Sequence, residues 1–168
     1  MYPDIETRVS NSYLERILTG VAQPPCLIGG WAVYFTLNDN FNKSTGINEY
    51  PGSRDIDLGF HFDPKWTRKE YENSSFAKTV AILEDKMMFE SRNYRFVKRH
   101  HVDDGRPLTE EDARHVEQYN IFSMYIDMLV DTKDPKRHKV AGFTVLEEPM
   151  LKKGFSFEAN TWRKNYSE

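Results

Sequence analysis

Two aspartates one residue apart, Asp55 and Asp57 in Gly52-Ser53-Arg54-Asp55-Ile56-Asp57-Leu58-Gly59-Phe60, carry the clearest chemical potential in this chain. On a β-strand alternate side chains share a face, so the two carboxylates point the same way and Ile56 points to the other. Side by side they repel each other and cost free energy to desolvate unless a cation neutralises them. Hard oxygen ligands in that arrangement suit Mg2+ or Mn2+, which keep water and bring a substrate's phosphates with them. Upstream, Cys26-Leu27-Ile28-Gly29-Gly30-Trp31-Ala32-Val33 reads as a short apolar strand, a glycine turn and the start of a helix. A glycine pair before a helix lets the backbone approach phosphate oxygens and aims free N–H groups at them. A phosphate cradle followed by a metal-binding pair is what phosphoryl or nucleotidyl transfer requires. Taken singly, each half has an ordinary alternative: a solvated strand end for the aspartates, a common turn for the glycines.

A two-metal site normally takes a further carboxylate from a neighbouring strand. Asp127, in Tyr125-Ile126-Asp127-Met128-Leu129, is the favoured candidate, because it interrupts an otherwise apolar strand where an isolated charge would be expensive. Asp131 shares its face but stands at the strand's end, where capping the following turn is the simpler role. Arg95, Lys98, Arg99, His100 and His101 form a basic strand, and Lys136 to Lys139 a basic loop. Either is a solvated charged face or a cradle for triphosphate oxygens or an RNA backbone. His100-His101 is no zinc site, since neighbouring strand residues face opposite sides and no further ligand has the spacing. Cys26, in an apolar strand, reads as inert core. Ser53 has no nearby His with an orienting acid, so a hydrolase triad is unsupported.

Ile28-Gly29-Gly30-Trp31-Ala32-Val33, followed one helix later by Ser53-Arg54-Asp55-Ile56-Asp57-Leu58, resembles the DNA polymerase beta-type nucleotidyltransferase superfamily. Within it the chain is most similar to the abortive-infection and minimal nucleotidyltransferase-like branch, over roughly residues 12 to 131. The resemblance implies a small mixed, mostly antiparallel sheet with helices on one face. It implies catalytic and metal-binding roles for Asp55, Asp57 and Asp127, with Asp127 as the carboxylate that orients or deprotonates the acceptor hydroxyl. Gly29, Gly30, the helix start at Trp31, Ser53 and Arg54 would hold the nucleoside triphosphate, with Mg2+ or Mn2+ as cofactor. The acceptor would be RNA, a protein or a small molecule. That branch often carries an arginine four residues before the first aspartate, where this chain has Pro51. The alternative reading is a non-catalytic nucleotide- or partner-binding module, for example one component of a toxin–antitoxin pair. A metal-dependent nuclease is a weaker rival, having no use for the glycine cradle.

These motifs need elements to position them. Residues 4 to 19 repeat Ile5, Val9, Tyr13 and Ile17 every four residues and predict a helix. Pro24-Pro25 forces an extended approach to the first strand. A helix is expected over Trp31–Leu37, a loop from Asn38 to Gly52, and the longest helix over 65–90, with Phe76, Val80, Leu83 and Met87 as its stripe. Strands are expected over 94–101 and 120–131, with a short helix capped by Thr109 between them. The strand from Gly52 to Phe62 should lie beside the one from Asn120 to Asp131, so that Asp55, Asp57 and Asp127 converge. Residues 132–168 form an extension to a single domain.

With 168 residues, 39% of them apolar and 29% charged, the composition is that of a globular domain with a real core. A net charge of −3 exerts no global pull toward nucleic acid or membrane, so such a partner must meet a local patch. One cysteine fits a reducing compartment. No signal-like or membrane-spanning apolar run is evident, and a soluble cytoplasmic protein without a membrane partner is expected.

Overall fold

The computed structural model describes residues 4–45, 52–133 and 145–156. Helix α1 (Ile5–Gly20) starts on Asp4, whose Oδ1 accepts the Thr7 N–H at 2.7 Å, and turns Tyr13, Leu14 and Ile17 inward. After the prolines come β1 (Cys26–Ile28) and, with no intervening residue, α2 (Gly29–Thr45). Strand β2 (Ile56–Phe60) follows, then α3 (Arg68–Glu72) and α4 (Ser75–Ala81), which runs into a π-helical turn over Ile82–Lys86. Next come β3 (Glu90–Arg92), β4 (Arg95–His101), β5 (Pro107–Leu108), α5 (Glu110–Arg114) and β6 (Ile121–Val130). The described part of the extension adds β7 (Leu146–Glu147) and α6 (Leu151–Ser156).

The described strands join one sheet in the order β1-β2-β6-β4-β3, with β5 beside β4 and β7 beside β6. Among the described strands β6 pairs parallel with β2 and with β7, and the other pairings are antiparallel. The fold is therefore α+β with a mostly antiparallel sheet, as the sequence implied. Its two faces differ sharply. Ile56, Leu58 and Phe60 of β2, Met124, Ile126, Met128 and Val130 of β6, and Phe96 of β4 are buried. They pack with Tyr13, Leu14 and Ile17 of α1, Trp31 of α2, and Phe76 and Val80 of α4. The alternate residues, among them Asp57, Tyr125, Asp127 and Arg95, face the other side. One face makes the core; the other carries Asp57, Asp127 and Arg95.

Several expectations are corrected. The long helix over 65–90 is broken, because Asn73 ends α3 and the Ser74 hydroxyl accepts the Ala77 N–H to begin α4. Local side-chain capping outcompetes the continuous apolar stripe there. Conversely α2 begins at Gly29 rather than Trp31 and runs to Thr45, through residues read as loop. Polar helix residues cost only a few tenths of a kcal/mol each, which a docked helix absorbs (roughly, on host–guest scales). Asp55 lies just ahead of β2, not within it. Cys26 is exposed rather than core, because β1 is an edge strand.

Asp131, expected to cap the turn after β6, bonds among the described residues to the end of β2 instead. Its side chain is buried, accepting the Phe62 N–H at 2.9 Å and bonding His61 Nδ1 at 2.6 Å, so it secures the end of β2. The expected strand over 94–101, the Thr109-capped helix and the strand over 120–131 are all present. Pro51 and the basic loop from Lys136 to Lys139 lie outside the described residues.

Candidate active site

The register lines up one row across the open face. Ile28 of β1 is the partner of Asp57 of β2, Asp57 of Asp127 of β6, and Asp127 of Arg95 of β4. Adjacent strands stand about 4.8 Å apart, so the two carboxylates and the guanidinium are immediate neighbours. Asp55 stands two residues before Asp57 at the same end of the sheet. Thus the three aspartates named from sequence come together.

The glycine turn closes the row from the side. Gly29 has φ +63°, and a Cβ there would lie 2.2 Å from Asp57 Oδ2. A Cβ on Gly30 would lie 2.8 Å from Ser53 Cβ and 2.9 Å from Ser53 Oγ. The start of α2 is therefore laid directly against the segment carrying the aspartates, an approach that a side chain at either glycine would block.

The electrostatics follow from the crowding. Asp55 is exposed, yet partial desolvation raises its pKa from the ordinary aspartate value, the nearby Asp127 charge adds to it, and Arg95 and Arg54 offset part of the rise. Asp57 is raised likewise by burial, then by Asp127 and by Asp55. Arg95 Nη2 donates to Asp127 Oδ2 at 2.9 Å. Burial opposes the Arg95 charge, but attraction and bonding to Asp127 win and hold its pKa above the ordinary value. The guanidinium lies over the rings of Tyr94 and Tyr125, 5.0 and 4.7 Å from their centroids. Arg95 Nε and Asp127 Oδ1 are buried with no hydrogen-bond partner among the described residues.

Two residues expected at the nucleotide point elsewhere. The Trp31 side chain is fully buried and donates to Ser10 Oγ at 2.8 Å, so only its backbone could serve a phosphate. Arg54 pairs with Asp4 at 3.4 Å and Glu6 at 3.2 Å at the start of α1. Sequence reading placed Arg95 in a basic strand without linking it to Asp127. The link requires the β4–β6 register, for which no local signal exists.

The fit of a divalent ion can be tested on these groups. Asp55 and Asp57 suit it, since Mg2+ is commonly held by one or two carboxylates together with water and substrate phosphates. Asp127 Oδ1 has unused acceptor capacity, but its other oxygen is engaged by Arg95. Accordingly, no group of three or more His, Cys, Asp or Glu among the described residues is preset to hold a metal ion. Among them, too, no helix is long and apolar enough to cross a membrane. Comparison of the chain with protein-family models, curated proteins and solved structures finds no match.

Proposed function

We propose that this chain is a metal-dependent nucleotidyltransferase that moves a nucleoside monophosphate from a nucleoside triphosphate to an acceptor hydroxyl. The observation that carries this reading is the registered row Asp57–Asp127, with Asp55 beside it and the Gly29-Gly30 turn against Asp57. Acidic pairs next to a helix start are of little use to the core, which lies on the opposite face.

Asp55 and Asp57 would hold Mg2+ or Mn2+, joined by Asp127 when Arg95 releases it. When bound, the ion offsets negative charge on the triphosphate and on the departing pyrophosphate. The backbone at Gly29 and Gly30 would lie along phosphate oxygens, with the N-terminus of α2 adding its partial positive charge. Ser53, which lies against Gly30, would donate its hydroxyl to the same oxygens. Asp127 would accept the acceptor's hydroxyl proton as that oxygen bonds to the alpha phosphorus and the bond to pyrophosphate breaks. Acceptor and metal binding thus meet on one carboxylate.

Incubation with labelled nucleoside triphosphates, Mg2+ and pooled RNA, protein or small-molecule acceptors tests the proposal. Transfer of label, lost in Asp57→Ala, supports it; acceptor shortening in place of transfer replaces it with nuclease chemistry. The second reading, a nucleotide- or partner-binding module without catalysis, is favoured by the Arg95–Asp127 ion pair, which already neutralises one carboxylate. Triphosphate binding without transfer would select it. A toxin–antitoxin context and a cytoplasmic location belong to the same set of proposals.

A further inference from the structure

The Arg95–Asp127 pair is half made. A guanidinium presents five N–H donors in a fork that matches both oxygens of a carboxylate. Here one nitrogen meets one oxygen, at 2.9 Å, while Nε on one side and Oδ1 on the other are buried and, among the described residues, unpartnered. Buried polar groups left in this way cost free energy, so their persistence calls for a reason. The surroundings supply one. Arg95 rests on the faces of Tyr94 and Tyr125, which hold a guanidinium without fixing it by hydrogen bonds. Its side chain is 31% exposed toward the open face, and Asp127's is 18% exposed. The next register partner along the row is Arg92, a second guanidinium.

We infer that Arg95 is an exchangeable counter-ion: it holds Asp127 while the site is empty and passes to the triphosphate when metal and nucleotide arrive. The inference rests on the nucleotidyltransferase reading and names how that site is regulated. The exchange follows from charge balance. A divalent ion at Asp55 and Asp57 attracts Asp127 and repels the guanidinium beside it, so ion and Arg95 compete for one carboxylate. Triphosphate oxygens give the displaced guanidinium a partner of greater charge, with the bidentate geometry that Asp127 does not use. Metal alone then binds weakly, because it must break the Arg95 bond without compensation. Metal with triphosphate binds well, because each cation gains an anion.

Two binding measurements on the full chain test this, without turnover: Mn2+ alone by electron paramagnetic resonance, and inorganic triphosphate by calorimetry, with saturating Mg2+ and without it. In Arg95→Gln and Arg95→Ala, Mn2+ should bind tighter than in wild type by about tenfold, the scale of one released charge-assisted bond. Triphosphate should bind weaker by a similar factor. The Mn2+ gain should vanish in Arg95→Gln with Asp127→Asn. A purely structural Arg95 would weaken both ligands together, and that result overturns the proposal. So does unchanged Mn2+ affinity in two variants whose circular dichroism matches wild type. If wild type binds no triphosphate with or without metal, the nucleotidyltransferase reading fails, and the transfer of Arg95 to phosphate fails with it. The Mn2+ comparison still judges whether Arg95 holds Asp127 against a cation.

Discussion

Gly29 and Asp57 are in such close approach that a Cβ on the glycine would lie 2.2 Å from the carboxylate Oδ2. The two residues are 28 positions apart in sequence (57 − 29) and belong to different motifs, yet each limits what the other may be.

Gly29→Ala should therefore be costly twice, through its φ of +63° and through the collision with Asp57. A left-handed non-glycine residue alone costs roughly 1–3 kcal/mol. Urea denaturation should show a loss at least that large. In the double variant with Asp57→Ala part of it should return, giving a favourable coupling on the order of 1 kcal/mol. Strict additivity would mean that the turn and the carboxylate are not in contact.

Asp57→Asn should leave the fold intact and raise stability at neutral pH. The folded-state pKa of Asp57 is raised, so its protonated form is the better tolerated one. Wild type has that benefit in full below the unfolded value of 3.8 and loses it as pH rises through the folded pKa. The variant's advantage should thus be absent at the acid end and appear above it, at about 0.2–1 kcal/mol, the usual scale for facing like charges. Urea midpoints of the two proteins across the carboxylate range decide this. A variant that is less stable at neutral pH would give Asp57 a structural role.

His100 has the opposite sign. It is 1% exposed, accepts a hydrogen bond at Nε2 from the Tyr13 hydroxyl at 2.9 Å and donates from Nδ1 to the Lys98 carbonyl at 3.2 Å. Burial lowers its pKa from 6.5 to about 4. The unfolded chain therefore binds a proton that the folded chain refuses, and stability falls as pH drops from 6.5 toward 4. At 1.36 kcal/mol per unit the loss approaches roughly 3 kcal/mol. His100→Gln should flatten that segment of the pH–stability curve. An unchanged slope would assign the titration to another group.

Asp131 and His61 form a short pair in which the two partners matter unequally. Asp131 is 2% exposed and also accepts the Phe62 N–H, whereas the His61 side chain is 55% exposed. Asp131→Ala strands a buried donor and should cost about 1–3 kcal/mol, with His61→Ala well below it. Equal losses by thermal denaturation would mean that the imidazole, not the backbone bond, is what Asp131 secures.

Sequence by itself determined the elements whose signals are local. The four-residue repeat of α1, the Thr109 cap of α5 and the apolar run of β6 each follow from neighbouring side chains. Only the tertiary structure decided that Cys26 sits on an exposed edge and that Arg95 is the partner of Asp127. Those facts depend on which strand lies beside which and in what register. Hydrogen bonds and packing between segments 32 residues apart, as for Arg95 and Asp127, set that register, and no short stretch of chain encodes it.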